Sequence, residues 1–512
     1  MKEKTIFQEL ASDKKYIIIL SIFTFFFLFF TSKMSPLYPI NEWSDINVYF
    51  NIGKAAMEGR TLYTESFDHK GPLIFIIYGI GYLISNSTFL GVFIIELIGW
   101  LILIYTIFLT ARIYLQREFS FLISLIVPAF LIKYTHTGGS AEEFILIMSV
   151  VSLYFFYRFF MDEDTTVHNP KYMFLHGILF SMVFFIKLNL VIFWVFPILG
   201  ILICLLIHKE YKNLLHNILS FILGVFVIAV PICLYLYINN ALTEAFNVYI
   251  LLNMKYGSPL SASDTMNHTF MRTYSFFRND IVGFIIMSIG ALYFPIKHIK
   301  NKIGKVSMIL CALSLFFILF SPRTFHFYYP LSFYIFIIPG LISISLFIKR
   351  YVYISYSGKL LCLFATLALL VGISSKNFFG LGGYEITRQI DPNSPEFQFS
   401  RIIETEKNPT LLNLGSGYGN SIFTICNITP NVKYFLTPNI YYNMYPQMRD
   451  EQTKYIENKE VDFIVVDNFS FNYQHFRNLQ AFKENYILMD TFVNKRIVFG
   501  DEFSTYYLYR KR

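Results

Sequence analysis

The side chains best suited to chemistry lie in one polar segment between the first two long apolar runs. The segment carries carboxylates, an imidazole and an ammonium group: Glu42, Asp45, Asp68, His69 and Lys70. A carboxylate can take a proton from a hydroxyl, and an ammonium group can stabilise a leaving anion. These residue types therefore suit a displacement reaction with an anionic leaving group.

Pro72 follows this group and is typical of the first position of a helix. The free backbone amides at such an N-terminus, together with the charge of Lys70, predict an anion site that suits a phosphate. Two other interpretations stay open at this point. Asp45 suits the N-cap of a helix that begins at Ile46, and Asp68 with Lys70 suits a solvated turn.

Further ionisable residues stand at the ends of apolar runs, where the cost of their charge makes them functional candidates. Glu142 and Glu143 open one run, and a position in interfacial water is the alternative for one of the two. Lys187 interrupts an apolar stretch, which either snorkelling or contact with a lipid phosphate would explain. Arg323 and His326 share a turn, for which a solvated loop is the alternative.

Membrane helices are the elements that must position these residues. Of the 512 residues, 55% are hydrophobic and 15% are charged, whereas ordinary soluble domains carry about 25% charged residues. Apolar runs of membrane-crossing length predict about eleven spans. They are placed at 16–32, 88–111, 119–134, 142–160, 173–186, 189–207, 215–238, 280–296, 306–321, 327–348 and 358–375. The net charge of +8 is dispersed in short clusters, which argues against a nucleic-acid partner.

The basic clusters all fall on one side of the predicted spans. The positive-inside rule then places the N-terminus in the cytoplasm, and a first loop (33–87), a middle loop (239–279) and the tail outside. Apolar residues at helical spacing predict helices in the first loop that lie along the interface. The tail alternates short β-rich runs with polar helical stretches. We therefore expect an all-α transmembrane domain over 1–375 and an extracytoplasmic α/β domain over 376–512.

Several segments resemble one family of membrane enzymes. SDINVYFNIGKAAMEGRTLY at 44–63, followed by FDHKGPL at 67–73, resembles the first extracytoplasmic loop of the GT-C fold glycosyltransferases. The segment is most similar to the bacterial branch related to protein O-mannosyltransferases and to the aminoarabinose lipid A transferase. TGGSAEEF at 137–144 and HFYYPL at 326–331 add to the resemblance. The adjacent acidic pair typical of the mannosyltransferases is absent, because Glu42 and Asp45 are separated.

The resemblance implies a GT-C-like membrane domain in which Asp45 alone is the catalytic base. It implies that Lys70, with Lys187 or Arg323, binds the phosphate of the donor. The remaining candidates for the substrate site are Glu42, Asp68, His69, Glu142, Glu143, His326 and Tyr329. Nucleotide sugars are cytoplasmic, so an outward-facing site needs a polyprenyl-phosphate sugar as donor and a cell-envelope glycan, lipid or protein as acceptor. No cofactor is expected, and no cluster has metal-ligand spacing, although a divalent metal is not excluded.

Two other functions are compatible with many spans. A transporter or flippase of a lipid-linked sugar would be favoured by discontinuous helices and paired halves, neither of which the sequence shows. A structural membrane subunit would leave Asp45 and Lys70 unexplained. LLNLGSGYGN at 411–420 is similar to the nucleotide loop of methyltransferases, but Asn413 stands where an acidic residue is expected. We therefore interpret those glycines as a tight turn between a strand and a helix.

Overall fold

The computed structural model describes residues 13–163, 165–257, 261–351, 366, 394–415, 418–437, 440–470, 472–499 and 502–512. Within these ranges the chain is mostly helical. The helices are α1 Lys14–Thr31, α2 Ser44–Met57, α3 Pro72–Ile84, α4 Leu90–Arg112, α5 Arg117–Thr135, α6 Ala141–Phe160, α7 Pro170–Phe184, α8 Ile192–Ile207, α9 Tyr211–Ile238, α10 Leu242–Ala245, α11 Asn253–Gly257, α12 Ala262–Asn279, α13 Ile281–Ser288, α14 Phe294–His298, α15 Lys302–Phe320, α16 Ile337–Tyr351, α17 Pro395–Ile403, α18 Tyr418–Ile425, α19 Pro446–Glu457, α20 Tyr473–Asn478 and α21 Gln480–Asn485.

Short 3₁₀ or π stretches extend some of these helices: Leu188–Val191, Phe246–Leu252, Ile289–Tyr293 and Tyr329–Phe336. Counting these extensions, nine helical segments in the described part of the chain are long and apolar enough to cross a membrane. They are Lys14–Thr31, Leu90–Arg112, Arg117–Thr135, Ala141–Phe160, Leu188–Ile207, Tyr211–Ile238, Ile281–His298, Lys302–Phe320 and Tyr329–Arg350. The chain is a multi-pass membrane protein.

Nine of the eleven predicted spans thus coincide with spanning-length helices. The prediction at 173–186 falls on α7, which is only 15 residues long, because the chain leaves the helix at Phe185 and is extended at Lys187. The prediction at 358–375 lies outside the described residues except for residue 366. The orientation of the termini stays a prediction.

The chain divides into two compact units. The first contains the described residues of Met1–Ser32, Glu96–Pro231 and Ser258–Gly380 and therefore most of the candidate spans. The second contains those of Lys33–Ile95, Ile232–Gly257 and Leu381–Arg512. The first outer loop and the C-terminal region thus belong to one unit. The expected boundary between 375 and 376 lies outside the described residues and stays a prediction.

The C-terminal region is an α/β structure, as its alternation of strand and helix patterns predicts. The strands β1 Leu411–Asn413, β2 Phe463–Asp467, β3 Tyr486–Phe499 and β4 Glu502–Lys511 form a sheet in the order β1-β2-β4-β3. β1 pairs with β2 in parallel, whereas β4 pairs with both of its neighbours antiparallel. Every residue of β1 and β2 is buried, which explains why both strands read as apolar runs. β1 leads into α18, so the segment interpreted as a strand and turn precedes a helix.

Candidate active site

Asp45 lies in the first turn of α2, and it is not an N-cap. The helix begins one residue earlier, at Ser44, and Trp43 with an extended backbone is the N-cap. The cap interpretation of Asp45 is therefore wrong, because it placed the helix start at Ile46. A carboxylate in this turn is still favoured by the helix dipole. Its side chain is half-buried.

Helices α2 and α3 pack against each other in parallel. The ring of Tyr49 lies 6.2 Å from that of Phe75 and 5.5 Å from that of Tyr78. One residue further on, the ring of Phe50 lies 6.0 Å from that of Tyr82. Later residues of α2 thus meet later residues of α3, and the two N-termini lie at the same end of the pair.

This arrangement brings the first turn of α2 level with the first turn of α3. Asp45 and the segment from Lys70 to Pro72 therefore share one end of the helix pair. Gly71 is the N-cap of α3 and Pro72 its first residue, as the sequence predicts. Two helix N-termini and a lysine at one place favour an anion there.

The turn before α3 is held by hydrogen bonds. The Asp68 carboxylate is buried and accepts a hydrogen bond of 2.8 Å from the backbone N–H of Lys70. The Lys70 carbonyl accepts a hydrogen bond of 2.7 Å from the Tyr63 hydroxyl, and the His69 carbonyl accepts one from Asn253. The interpretation of Asp68 as part of a solvated turn is therefore wrong, because its side chain is buried and the next two residues are hydrogen-bonded to Tyr63 and Asn253.

Burial raises the pKa of Asp68 above its ordinary value, although the charge of Lys70 and two backbone amides oppose this effect. His69 is half-buried, with its ring 5.3 Å from that of Tyr256. Glu42 forms an ion pair with Lys33, whose side chain is only 2% exposed. Lys33 was not singled out from the sequence, because a lysine just after an apolar run reads as a membrane-boundary residue.

The first unit holds another group of candidates around Lys187. The Lys187 ammonium forms an ion pair of 2.5 Å with Glu142 and lies 3.7 Å from the centre of the Tyr329 ring. The Tyr329 ring in turn lies 5.2 Å from that of His326. The structure thus brings together four candidates that are far apart in sequence. Snorkelling does not describe Lys187, because its side chain is only 15% exposed.

Glu143 turns away from this group into a different cluster. Its carboxyl group accepts a hydrogen bond from the Trp100 indole and lies close to the carboxyl group of Glu96. Ser32 donates a hydrogen bond of 2.7 Å to Glu96. Both Glu142 and Glu143 are buried, at 1% and 2% exposure. The expectation that one of them lies in interfacial water is therefore wrong, because each has a buried partner.

Arg323 is exposed, and the turn that carries it is held by a residue that the sequence did not single out. The Arg272 guanidinium donates hydrogen bonds to the backbone carbonyls of Phe320, Pro322 and Arg323. Arg272 lies on α12, in the predicted middle loop. Only the charge of this arginine in an otherwise uncharged helical turn could have marked it.

A small cleft of about 160 Å³ opens in the second unit beside α2. It is lined by Pro39, Ile40, Asn47, Ser87, Thr88, Phe89, Phe397, Ser421, Thr424 and Ile425. None of these side chains is ionisable, so the cleft does not suit a phosphate. Among the described residues, no group of three or more His, Cys, Asp or Glu side chains could hold a metal ion.

No family model matches the chain, and no curated protein matches it in sequence. Solved structures do match. The apo crystal structure of ArnT from Cupriavidus metallidurans matches with a TM-score of 0.60 at 12% identity, over 97% of this chain and 98% of that one. The same protein bound to undecaprenyl phosphate matches with a TM-score of 0.57 at 12% identity, over 98% of both chains.

The oligosaccharyltransferase from Archaeoglobus fulgidus, tethered with an acceptor peptide, is also similar. It matches with a TM-score of 0.51 at 12% identity, over 96% of this chain and 74% of that one. These neighbours are GT-C fold membrane glycosyltransferases. At such identities the likeness concerns the fold alone, and the fold expected from the first-loop motifs is confirmed: the chain is a polytopic membrane protein with the GT-C fold.

Proposed function

We propose that the chain is a membrane glycosyltransferase that moves a sugar from a polyprenyl-phosphate donor to an acceptor in the cell envelope. Its fold is that of ArnT, which has been solved with undecaprenyl phosphate bound, and of an oligosaccharyltransferase solved with an acceptor peptide. The observation that carries the proposal is the parallel packing of α2 and α3. In this packing the Asp45 carboxylate lies at the same end of the helix pair as the N-terminus of α3, which Lys70 precedes.

The proposed reaction is a single inverting displacement. Asp45 takes the proton of the acceptor hydroxyl while the hydroxyl oxygen attacks the anomeric carbon of the donor sugar. The bond between that carbon and the phosphate oxygen breaks, and polyprenyl phosphate leaves. Lys70 and the free amides at the start of α3 stabilise the charge that grows on the departing phosphate. Asp45 then releases this proton to water, which restores the carboxylate for the next turnover.

Lys187 and Arg323 are the further candidates for contact with the donor phosphate. Lys187 already faces the Glu142 carboxylate, so a phosphate there would share its ammonium with an existing anion. Arg323 is exposed, whereas Lys70 immediately precedes the N-cap of α3, where a helix N-terminus favours an anion. We rank Lys70 first among the three cations because it adjoins this helix N-terminus. Glu42 forms an ion pair with Lys33; Asp45 is ranked above it as a base because Asp45 lies in the first turn of α2, at the same end of the helix pair as the start of α3.

The test uses the purified full-length protein in nanodiscs with a panel of polyprenyl-phosphate sugars. We expect release of polyprenyl phosphate and a product of inverted anomeric configuration, both measurable by NMR. A flippase would move the lipid between leaflets and release nothing. Wild-type protein that releases no polyprenyl phosphate with any donor and acceptor of the panel, but still moves the lipid, would favour the flippase.

Asp45→Asn tests the base. We expect transfer to fall by about 10² to 10⁴, because an amide cannot take the proton, while the melting temperature stays near that of the wild type. Asp450→Asn is the matched control, since Asp450 lies exposed on α19. Transfer by Asp45→Asn at the rate of this control would remove the assignment. Lys70→Ala should instead weaken both donor binding and transfer, because the phosphate is charged throughout the reaction.

A further inference from the structure

Helix α2 presents a row of polar side chains to the C-terminal region within the second unit. We call this contact the polar seam. On one side it contains Ser44, Asn47, Asn51, Lys54 and Glu58, and on the other Asn420, Thr424, Asn427 and Thr429. The spacing of three and four residues places the first set on one face of α2. The second set belongs to α18 and the residues that follow it.

The N-terminal half of the polar seam lies beside the proposed base. Asn420 donates a hydrogen bond of 2.7 Å to the hydroxyl of Ser44, the residue before Asp45. Thr424 donates one of 2.9 Å to the side-chain oxygen of Asn47. Asn51 donates one of 3.2 Å to the hydroxyl of Thr424. Each turn of the first half of α2 is therefore bonded to α18.

Asn47 passes this contact on to the backbone that leads into α2. Its amide nitrogen donates to the carbonyl of Asn41 over 2.6 Å and to the carbonyl of Trp43 over 3.0 Å. Its oxygen accepts from Thr424. Asn47 is fully buried, so water does not compete for these bonds. The Asn47 side chain thus joins α18 to Asn41 and Trp43, which immediately precede the turn that carries Asp45.

The C-terminal half completes the polar seam. The Lys54 ammonium donates hydrogen bonds to the backbone carbonyl and the side-chain oxygen of Asn427. The Thr429 hydroxyl donates a hydrogen bond of 2.5 Å to the Glu58 carboxylate. The apolar face of α2 is occupied by α3. Contacts on both faces leave α2 little freedom to rotate or slide. Asn47, Asn51 and Lys54 are buried and each donates or accepts a hydrogen bond across the polar seam, so a shift of α2 would leave buried groups without these partners.

We propose, resting on the proposed function, that Asn420 and Thr424 are positioning residues of the transferase. They act through Ser44 and Asn47 and fix the orientation of the first turn of α2, and so of the Asp45 carboxylate. The C-terminal region then orients the catalytic base through its contact with α2. Neither residue touches the reacting atoms in this scheme.

Thr424→Val tests this role, because it keeps the shape of the side chain and removes the hydroxyl. We expect kcat to fall by about 10-fold to 100-fold, since small misplacements of a catalytic group are costly. The KM for the donor should change less than about twofold, as the variant leaves Lys70 and α3 in place. Thr424→Ser keeps the hydroxyl and should restore kcat. Thr453→Val on α19 is the matched control, because the partners of the Thr453 hydroxyl in the described part of the chain are Arg449 and His475, both in the C-terminal region.

A second measurement does not depend on transferase activity. Hydrogen exchange of the backbone amides of residues 43–50 should be faster in Thr424→Val than in the wild type or Thr453→Val. Unchanged exchange there, or a kcat equal to that of Thr453→Val, would overturn the positioning role. If the wild type transfers no sugar but Thr424→Val still exchanges faster than the wild type, the link between α18 and α2 is upheld and the transferase proposal is refuted. The two ideas therefore fail in different experiments.

Discussion

The Lys54 ammonium donates hydrogen bonds of 2.7 and 2.6 Å to the backbone carbonyl and the side-chain oxygen of Asn427. Asn427 has a positive φ of 51° directly after α18, which is typical of a residue that ends a helix. The lysine thus lies at the negative end of the α18 dipole. Its side chain is buried, and this burial lowers its pKa to about 8, although Glu58 opposes the effect.

The pKa of Lys54 predicts how stability depends on pH. Between pH 8 and the ordinary value of 10.5, the unfolded chain binds a proton at this lysine that the folded chain does not bind. Raising the pH through this window therefore stabilises the folded state. We expect the melting temperature of the wild type, relative to Lys54→Met, to rise between pH 7.5 and pH 9.5. Lys54→Met removes the two hydrogen bonds to Asn427 as well as this titration, so the test is how the difference changes with pH; a difference that is constant over the window would contradict the pKa.

Asp68→Asn should leave the protein at least as stable as the wild type at pH 7.5. The neutral amide replaces a buried carboxylate and its oxygen can still accept the hydrogen bond from Lys70. Because the folded pKa of Asp68 is raised, the wild type loses stability as pH rises from the ordinary value of 3.8 through the raised one. Asp68→Asn should lack that loss in thermal melts over pH 4–7.

Glu42→Gln provides the contrast to Asp68→Asn. It removes the carboxylate that pairs with buried Lys33, and we expect a loss of about 1–3 kcal/mol. If both variants shifted the melting temperature in the same direction, the different environments assigned to the two carboxylates would be wrong.

Gly53→Ala should separate α2 from α3. A Cβ at this position would lie 2.6 Å from the backbone nitrogen of Gly79 and 2.6 Å from the carbonyl oxygen of Phe75. Backbone atoms cannot turn aside as side chains do, so we expect a loss of about 1–3 kcal/mol and reduced transfer. Gly257→Ala is the control, since a Cβ there meets no atom within 4 Å. Equal stability and activity of the two variants would contradict the close packing.

The fold could be predicted from the sequence because span length and motif order depend on local patterns. The helix from Ser44 to Met57 could be predicted in the same way, because Ile46, Tyr49 and Phe50 follow helical spacing. The polar side of α2 was not understood. Asn47, Asn51 and Lys54 suit a water-facing surface equally well, and their partners on α18 and just after it lie more than 360 residues away in the sequence.

The neighbouring carboxylates Glu142 and Glu143 show the same limit. Consecutive residues of a helix point in directions about 100° apart, so the side chains of Glu142 and Glu143 necessarily have different surroundings. Which one meets Lys187 and which one meets Glu96 depends on how the helices pack. Residue type marked both positions as unusual, but a single sequence contains no signal for the pairing.

The last prediction concerns the buried pair of Glu142 and Lys187. Glu142→Gln or Lys187→Met alone removes one partner and leaves a buried charge, which should cost about 3–5 kcal/mol. The double variant removes both charges and should be more stable than the sum of the single losses, with a coupling of about 1–3 kcal/mol in thermal melts. Losses that simply add would contradict the ion pair of 2.5 Å.

The same double variant decides whether Lys187 also contacts the donor, because it should be more stable than the single variants would predict and still lacks the Lys187 ammonium group. If Lys187 binds the donor phosphate, the double variant should show a raised KM for the polyprenyl-phosphate sugar despite its recovered stability. Lys70→Ala, measured beside it, gives the size of the effect expected for a phosphate ligand. A double variant with wild-type KM and kcat would assign Lys187 to the ion pair with Glu142 alone, and Lys70 at the start of α3 would then stay the first candidate for the donor phosphate.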